Sequence, residues 1–418
     1  MSAPGPLDRA LAGHVPGHAL AREFQIDDEI YAHELKTVWY RSWLLAGLSV
    51  EAQAAGDFFR FDVGDGSIIV VRDEHGELHA LHNTCRHRGM PVCTETAGTA
   101  RRWVCPYHQW SYALDGSLLG CGGMEGEIDV TQYGLRTAPV VEVGGLIYVW
   151  PGLDEPEPFD EAHSTLAGAL APQGLDRARF AHRADYRVQA NWKLIWENNR
   201  ECWHCHVGHP QYVQANFDAV PDNERNRRLA TARAADHAQT LAGITGMQAS
   251  NTEEPDRHDE PGLYAFPTPG RWWSANRTPL VQGFVTESLD GKPVAPLMGE
   301  YAGYDVGTLR VRTVPNLWGH ASADHAVLTR LVPDGPESTL VSVYWLTDEN
   351  AVEGRDYELG KLLPFWQLTS EQDWELCERN HAGVRSPAYT PGPYSGKREY
   401  NVAAFVDWYL TRVSALRR

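Results

Sequence analysis

Two short motifs in the first third of the chain each combine a thiol with an imidazole. Cys85 and His87 form a C-x-H motif, and Cys105 and His108 form a C-x-x-H motif that begins after 17 intervening residues. A cluster in which one iron takes two thiolates and the other takes two imidazoles needs this set of ligands. Cys₂His₂ zinc sites usually keep the cysteines together and the histidines together. The motifs therefore predict a [2Fe-2S] cluster of the Rieske type, with zinc, or buried residues without a metal, as alternatives.

A second group of candidate ligands lies at residues 191–210, NWKLIWENNRECWHCHVGHP. Glu201 and His204 are three residues apart and share a face if this segment is helical. His209 would lie about 140° from His204 on a regular helix, so the two imidazoles converge only if the helix bends or ends there. The glycine and proline that flank His209 allow such a break.

Two imidazoles and one carboxylate make the facial triad of non-haem Fe(II) oxygenases, which leaves coordination positions for O₂ and substrate. We predict His204 and His209 as the imidazole ligands. The carboxylate need not be local, and Asp373 in the late segment LTSEQDWELCERN is the strongest candidate. A buried carboxylate needs a partner, and a metal ion is a good one.

Other residues in the second motif have competing interpretations. His206 makes an H-x-H pair with His204 and is the alternative histidine ligand. Cys202 and Cys205 form a C-x-x-C pair, which alone suggests redox chemistry or a zinc site. Beside Glu-x-x-His, we interpret the two cysteines as free thiols in the core.

The elements that must position these residues follow from the apolar pattern of the chain. Residues 24–45 have helical apolar spacing with acidic residues in the first turn. Short β-rich runs with glycine-containing turns fill 57–150, and 151–161 reads as a linker rich in proline and acidic residues. Beyond the linker we predict a strand that becomes helical through the second motif, polar loops or a lid at 221–262, strands within 308–347, and helices at 355–382 and 399–416.

Composition narrows the class of protein. The chain has 418 residues, more than one hydrophobic core normally serves, so we expect two domains. Its net charge is −18 and it lacks a long Lys/Arg cluster, which argues against a nucleic-acid partner. Seven cysteines favour metal ligation and buried thiols over a disulfide framework. Without a signal-like apolar core or a segment of membrane-spanning length, we expect a cytoplasmic protein that has no membrane partner.

The motifs resemble those of the α-subunits of Rieske non-haem iron oxygenases. The resemblance runs essentially from end to end, through the paired Cys/His motifs, NWKL…EN…E-x-x-H-x4-H-P and a late QDW helix. It implies an α+β fold in which an all-β Rieske iron–sulfur domain is inserted into a catalytic domain. The Rieske domain would span 43–153. The catalytic domain, helix-grip-like with an antiparallel sheet, would comprise 1–42 and 154–418.

The resemblance also implies roles for individual residues. Cys85, His87, Cys105 and His108 would hold the cluster, and His204, His209 and Asp373 would bind a mononuclear Fe(II). Glu201 occupies the position of a carboxylate that bridges a cluster histidine and an iron histidine across a subunit interface in this family. Many ring-hydroxylating members have aspartate there. The implied assembly is a head-to-tail homotrimer. Because no GxGxxG follows a strand, we expect the electrons to come from a separate NAD(P)H-dependent reductase with flavin or iron–sulfur centres.

Stretches of the C-terminal half, such as TESLDGKPVAPLMG and TSEQDWELCERNHAGVRSPAY, are similar to one branch of the family. That branch acts on quaternary ammonium compounds such as glycine betaine, proline betaine and carnitine. N-methylated cations bind over aromatic faces, which predicts substrate contacts for Trp203, Trp272, Trp273 and Trp318. The predicted reaction uses O₂ to hydroxylate an N-methyl group, with release of formaldehyde. A Rieske oxygenase acting on an aromatic substrate and a non-catalytic Rieske electron carrier are the alternatives.

Overall fold

The computed structural model describes residues 4–217, 223–242, 244 and 271–415. The chain divides into one unit of Met1–Val38 and Phe159–Arg418 and a second unit of Trp39–Pro158. The smaller unit is thus an insertion in the larger one. It contains strands and short 3-10 turns, whereas the larger unit combines helices with a sheet. The predicted α+β fold with an inserted all-β domain is confirmed.

The strands of the smaller unit form antiparallel sheets. Their bounds are Leu44–Leu48 (β1), Asp57–Val63 (β2), Gly66–Arg72 (β3), Leu78–His82 (β4), Ala97–Thr99 (β5), Trp103–Val104 (β6), Ser111–Tyr112 (β7), Leu118–Gly120 (β8), Thr137–Ala138 (β9), Val140–Val143 (β10) and Leu146–Val149 (β11). The sheet orders are β5-β2-β3-β4-β9, β1-β11-β10 and β6-β7-β8. Gly64 joins β2 to β3 with a φ of 52°, which a glycine adopts at little steric cost. Cys85 follows β4 and Cys105 directly follows β6, so these sheets position both cluster motifs.

The larger unit is built on one antiparallel sheet. Its strands are Arg179–Val188 (β12), Trp273–Thr278 (β13), Thr308–Thr313 (β14), Leu317–Ala321 (β15), Ala326–Pro333 (β16) and Thr339–Thr347 (β17), in the order β12-β17-β16-β15-β14-β13. The strands predicted within 308–347 are confirmed. Every residue of β14 and β15 is buried, so this part of the sheet is covered on both faces.

The larger unit also contains helices, some of which pack against that sheet. They are Pro6–Gly13 (α1), Glu23–Ile26 (α2), Asp28–Thr37 (α3), Asp160–Leu170 (α4), Trp192–Asn199 (α5), Cys205–Gly208 (α6), Pro210–Ala215 (α7), Glu224–Leu241 (α8), Leu359–Leu362 (α9), Pro364–Val384 (α10) and Tyr400–Ser414 (α11). The long helix α10 packs against α5, α6, α7 and β12. It therefore connects the sheet to the segment that carries the second motif. Among the described residues, no helix is both long and apolar enough to cross a membrane.

Two predicted elements differ from the structure. The single helix predicted over 24–45 is interrupted because Asp27 accepts from the amides of Glu29 and Ile30 and so starts α3 as a new helix. The polar loop or lid predicted over 221–262 is wrong for residues 224–241, which form α8. The buried positions of α8 include the polar residues Arg233 and His237, so the sequence lacks the helical repeat of apolar residues that would predict this helix. Residues 221–222, 243 and 245–262 lie outside the described residues.

A buried polar cluster joins three distant segments of the larger unit. Glu34 on α3 accepts hydrogen bonds from Lys193 Nζ at 2.6 Å and from Trp192 Nε1 at 3.0 Å, both on α5. The hydroxyl of Tyr409 on α11 also donates to Glu34. The side chains of Lys193 and Glu34 are 0% and 1% exposed. A buried charge left without its partner is strongly destabilising. The buried charges of Glu34 and Lys193 are therefore satisfied only when α3, α5 and α11 are packed together.

Candidate metal centres

The two Cys/His motifs of the smaller unit adopt the same backbone conformation. In each loop, the cysteine amide donates to a carbonyl five residues later, and the amide four residues later donates back to the cysteine carbonyl. These bonds measure 2.8–3.0 Å for Cys85 and Cys105 alike. The fourth residue after the cysteine has a positive φ in both loops, 80° at Gly89 and 60° at Gln109. The motifs thus form a matched pair of turns although their sequences differ.

These turns bring the four candidate cluster ligands together. Cys85 and Cys105 are buried. The rings of His87 and His108 lie 4.6 Å apart, and His87 stacks on Trp110 at 5.0 Å with an interplanar angle of 8°. The Nδ1 atom of His87 is buried and has no hydrogen-bond partner in the part of the chain that the structure describes.

This arrangement fits a Rieske cluster. A buried imidazole nitrogen normally has a hydrogen bond or a metal as its partner, and two thiols with two imidazoles are the ligand set of a Rieske centre. The hydroxyl of Tyr112 lies 3.2 Å from Cys85 Sγ and accepts from the amide of Arg86 at 3.1 Å. Hydrogen bonds to the ligand sulfurs help to set the reduction potential of such clusters.

The second candidate centre forms where the chain changes direction after α5. His204 precedes α6 and His209 lies between α6 and α7, so the predicted break in the helix is confirmed. The two rings are 5.2 Å apart and almost perpendicular. Asp373 on α10 places its Oδ1 atom 3.3 Å from His204 Nε2 and 2.8 Å from His209 Nε2. The structure therefore brings together two imidazoles and the distant carboxylate that the sequence singled out.

Each histidine is oriented through its other ring nitrogen. His204 Nδ1 donates to Glu201 Oε1 at 2.5 Å, and His209 Nδ1 donates to Gln372 Oε1 at 2.9 Å. Glu201 lies beyond the end of α5, so a turn brings it to His204. Burial disfavours the charged imidazole, but Asp373 and Glu201 outweigh it and raise the pKa of His204 to about 10. Two imidazoles whose Nδ1 atoms are fixed and whose Nε2 atoms face one carboxylate fit a mononuclear Fe(II) site.

The turn that carries Glu201 also contains a disulfide. Cys202 and Cys205 are bonded, so their interpretation as free core thiols is wrong. The turn brings their Cα atoms to 5.0 Å, within the range that a disulfide spans. This turn begins at Arg200, where α5 ends. His206 is exposed and does not join the group.

A cavity opens beside the second centre. It encloses about 440 Å³ of empty space, part of it open to solvent. Its described lining residues include His204, His209 and Asp373 at the candidate iron site, together with Arg310, Arg312 and Trp366. The cavity therefore gives a small molecule access to the candidate iron site.

The four tryptophans predicted to contact substrate do not line this cavity. Trp203 is 56% exposed. Trp318 is buried on β15, and Trp272 and Trp273 pack against each other with ring centroids 5.3 Å apart. Trp366 on α10 is the tryptophan among the described lining residues. The role of the four in substrate binding stays a prediction without a counterpart in the described part of the cavity.

Sequence reasoning did not single out Arg310 and Arg312. Both lie on β14, and both are buried. The signal was present as R-x-R within TLRVRT, because residues two apart on a strand share one face. Gln372, which orients His209, has no such signal beyond its position next to Asp373.

Comparison with known proteins agrees with this geometry. The family model for the ring hydroxylating alpha subunit (catalytic domain) matches residues 175–415, and the model for the Rieske [2Fe-2S] domain matches residues 42–133. The two domains define a Rieske non-haem iron oxygenase, with a [2Fe-2S] cluster and a mononuclear iron. The chain belongs to the ring hydroxylating alpha-subunit family. The zinc interpretation of the first motif and the non-catalytic electron carrier are thereby excluded.

Relatives extend the similarity to nearly the whole chain. The chain is 37% identical to the glycine betaine monooxygenase oxygenase subunit of Chromohalobacter salexigens, over 95% of this chain and 87% of the relative. It is 35% identical to a subunit of the same name from Pseudomonas aeruginosa, over 94% and 89% of the two chains. A crystal structure of the quaternary ammonium Rieske monooxygenase CntA has a TM-score of 0.69 at 18% identity, over 98% of this chain and 99% of that chain. At that identity the structural match supports the fold alone.

Proposed function

We propose that this chain is the oxygenase component that hydroxylates an N-methyl group of a betaine-like quaternary ammonium compound. The observation that carries the proposal is the 37% identity, over 95% of the chain, to a glycine betaine monooxygenase oxygenase subunit. The cavity supports it, because Trp366 offers an aromatic side chain near the candidate iron site and N-methylated cations bind over aromatic faces.

We infer the metal ligands from the two centres. Cys85, His87, Cys105 and His108 hold the cluster, and His204, His209 and Asp373 bind the iron. The matched turns and the buried Nδ1 atom of His87 support the first assignment. The two Nε2 atoms that face Asp373 support the second. When bound, the iron activates O₂ and the cluster supplies it with electrons.

The side chains of the protein orient the reactants. Glu201 and Gln372 keep both histidine Nε2 atoms directed at the iron position. The cavity wall holds the substrate methyl group beside that position and limits access of water. Each turnover consumes O₂, two electrons and two protons, and yields a hydroxymethyl group and water. The resulting hemiaminal loses formaldehyde and leaves the demethylated amine.

The proposal includes two protein partners. A separate NAD(P)H-dependent reductase with flavin or iron–sulfur centres supplies the electrons. A second copy of the chain supplies the cluster that serves each iron, within a head-to-tail homotrimer. In this assembly, Glu201 joins His204 to a cluster histidine of the neighbouring subunit.

Aerobic turnover with a panel of substrates tests the proposal. The panel contains glycine betaine, proline betaine, carnitine and aromatic acids, with an NAD(P)H-driven reductase as electron source. We expect a betaine to give formaldehyde in proportion to the O₂ consumed. A cis-diol from an aromatic acid, with no formaldehyde from any betaine, would show that the chain is a ring hydroxylase.

Metal analysis of the same preparation is the control. The two ligand sets predict three irons and two acid-labile sulfides per chain. His87→Ala should abolish the Rieske absorption and EPR signals, whereas Asp373→Ala should keep those signals and lose turnover. A chain with stoichiometric zinc and no sulfide would contradict the ligand assignment.

A further inference from the structure

The sulfur of Cys205 lies beside both histidines of the candidate iron site. Cys205 Sγ is 3.9 Å from His204 Nε2. The ligand atoms that His204, Cys205 and His209 offer all lie within 4.8 Å of one another. Asp373 Oδ1 is 3.3 Å from the same nitrogen of His204. The two imidazoles therefore have two possible companions, a carboxylate from α10 and a sulfur from α6.

The bond to Cys202 decides whether that sulfur can bind a metal ion. Cys202 and Cys205 form a disulfide, and the two residues are 8% and 4% exposed. Metal ions bind the thiolate of a cysteine, and a sulfur in a disulfide is not a thiolate. The disulfide thus leaves the site with two imidazoles and one carboxylate, which is the set of ligands that suits Fe(II).

Reduction of the disulfide would add a soft ligand to the same site. Cys205 would then offer a thiolate beside the two imidazoles, and the carboxylate of Asp373 would remain close to them. Thiolate and imidazole ligands suit Zn²⁺, and zinc sites commonly combine cysteine with histidine in a tetrahedral set. A given set of ligands also generally binds Zn²⁺ more tightly than Fe²⁺. A thiolate would enlarge that difference.

We infer that the Cys202–Cys205 disulfide excludes a thiolate from the candidate iron site, and that its reduction turns this site into a zinc site. The disulfide form accepts Fe(II), whereas the dithiol form binds zinc through Cys205, His204 and His209. The inference rests on the ligand assignment made with the proposed function, and it adds a thiol–disulfide control of the metal at that site. Both cysteines line the cavity, which gives a small thiol reductant access to the bond.

A dithiol reductant performs the conversion by thiol–disulfide exchange. Its first thiolate attacks one sulfur of the bond and forms a mixed disulfide, and its second thiolate then displaces the protein sulfur. The protein gains two electrons and two protons as two thiols, and the reductant loses the same number when it forms its own disulfide. Zinc binding then releases the proton of the Cys205 thiol to solvent.

Cys202→Ser and Cys205→Ser form a matched pair of variants. Both remove the disulfide, but only Cys202→Ser keeps the sulfur of Cys205. The full-length protein retains its cluster, and a chelator removes the mononuclear iron. We expect Cys202→Ser to bind zinc at least about tenfold more tightly than Cys205→Ser, because even partners that only orient a ligand change metal affinity by about 10–100-fold. Competition with a chromophoric zinc chelator measures both affinities.

Cobalt reports whether the sulfur itself is a ligand. Co²⁺ replaces zinc in sites of this kind, and a cobalt–thiolate bond adds an intense charge-transfer absorption in the near ultraviolet. Difference spectra, recorded before and after cobalt is added, remove the absorbance of the cluster. We expect the cobalt–thiolate absorption in Cys202→Ser and in the reduced wild type. We expect none in Cys205→Ser or in the oxidised wild type.

The wild-type protein tests the inference without any substitution. One sample is treated with oxidised glutathione and the other with dithiothreitol, and gel filtration without oxygen removes both reagents. Peptide mass spectrometry after alkylation establishes the state of the cysteine pair in each sample. We expect the reduced sample to bind zinc at least about tenfold more tightly than the oxidised one. A cysteine pair that stays reduced after treatment with oxidised glutathione would overturn the inference.

Cys377→Ser is the control for a thiol elsewhere in the same unit. Cys377 is buried on α10, and its Sγ atom lies 3.9 Å from the carbonyl oxygen of Leu194. It does not belong to the group formed by His204, Cys205 and His209. We expect this variant to keep the wild-type response of zinc affinity to reduction.

Three other results would overturn the inference, and none of them depends on turnover. They are equal zinc affinities in Cys202→Ser and Cys205→Ser, a cobalt–thiolate absorption in Cys205→Ser, and equal cobalt–thiolate absorption in the oxidised and reduced wild type. The proposed function is tested separately, by formaldehyde release from the iron-loaded enzyme. An enzyme that demethylates a betaine without a redox change in zinc affinity would keep the proposed function and reject this inference. An enzyme that shows the change in zinc affinity but releases no formaldehyde would do the reverse.

Discussion

The carboxylate of Glu201 is held within its own turn. Its Oε1 atom accepts from His204 Nδ1 at 2.5 Å, and its Oε2 atom accepts from the amide of Trp203. These contacts orient a proposed iron ligand, so Glu201 acts on the metal through His204. The proposed bridge to a neighbouring cluster histidine would use the same carboxylate.

Glu201→Gln should slow electron transfer while it leaves both metals in place. The amide keeps the size of the side chain and can still accept from His204, but it loses the charge that would hold a second imidazole. Loss of such an outer partner typically costs about 10–100-fold in activity. We expect the reoxidation of pre-reduced enzyme by O₂ with substrate, followed by stopped-flow absorbance, to slow by that factor. Glu201→Asp should be intermediate.

Two other results would reject this role for Glu201. Unchanged reoxidation in Glu201→Gln would show that the carboxylate does not take part in electron transfer. Loss of the mononuclear iron would show that Glu201 binds the metal directly. The Rieske spectrum is the internal control, because Glu201 lies outside the cluster motifs and the spectrum should stay close to that of the wild type.

Candidate ligands could be predicted where their spacing in the sequence is diagnostic. Residues whose role depends on where their side chains point in the folded chain could not be predicted. Asp373 is 164 positions from His209, yet a carboxylate in a late helix whose neighbours indicate partial burial was sufficient to predict it. Spacing cannot show which tryptophans face a cavity, because that depends on how helix and sheet pack. The position of Trp366 at the cavity therefore could not be predicted, and the substrate contacts of Trp203, Trp272, Trp273 and Trp318 stay a prediction.

At the scale of elements, the two turns of the cluster motifs share a positive φ at one position. Gly89 occupies that position in the first turn and Gln109 occupies it in the second. Gly89 has a φ of 80° at no steric cost, and Gln109 has a φ of 60°, which is unfavourable for a residue with a Cβ atom. A Cβ atom added at Gly89 would meet nothing within 4 Å. Exchanges at these two positions therefore test backbone conformation without creating a clash.

Gly89→Ala should destabilise the cluster unit by about 1 kcal/mol, and Gln109→Gly should stabilise it by up to about the same amount. The measurement is the urea midpoint for loss of the Rieske absorbance, because this signal reports on the cluster unit alone. Opposite shifts of the midpoint are expected. A Gly89→Ala variant with the wild-type midpoint would show that the left-handed conformation is not required there.

Elements with a clear apolar period were predicted well, and elements stabilised by polar contacts were not. The strands of 308–347 are rich in β-branched, aromatic and other apolar residues and were found. Helix α8 buries Arg233, whose guanidinium is paired with Asp305 at 2.6 Å, so a buried position looked like a solvent-exposed one. The Cys202–Cys205 disulfide was missed because C-x-x-C is compatible with a thiol pair and with a bond until the turn geometry is known.

At the scale of the whole molecule, mixed oligomers test the proposed ring. By the proposed ligand assignment, His87→Ala chains should lack the cluster and Asp373→Ala chains should lack the mononuclear iron. Co-expressed chains should regain up to about a quarter of wild-type activity, since a quarter of random head-to-tail contacts pair an intact cluster with an intact iron site. Each variant alone should stay inactive.

Mixing the wild type with the doubly substituted chain provides the matched control. If each cluster serves an iron in another subunit, activity should fall to about a quarter in an equal mixture, because only contacts between two wild-type chains work. If each cluster serves the iron of its own chain, about half should remain. Light scattering that shows a fully active monomer would end the ring proposal.

The insertion of one unit into the other also determines the order in which the protein can fold during synthesis. The cluster unit is contiguous, so it can fold as soon as residue 158 has left the ribosome. The first segment of the catalytic unit cannot finish then, because Glu34 needs Lys193 and Tyr409, and both follow the cluster unit in the chain. The emerging enzyme therefore holds a finished electron-transfer module while its oxygen-activating site is still incomplete. The candidate iron site can form only after Asp373 on α10 has been synthesised as well.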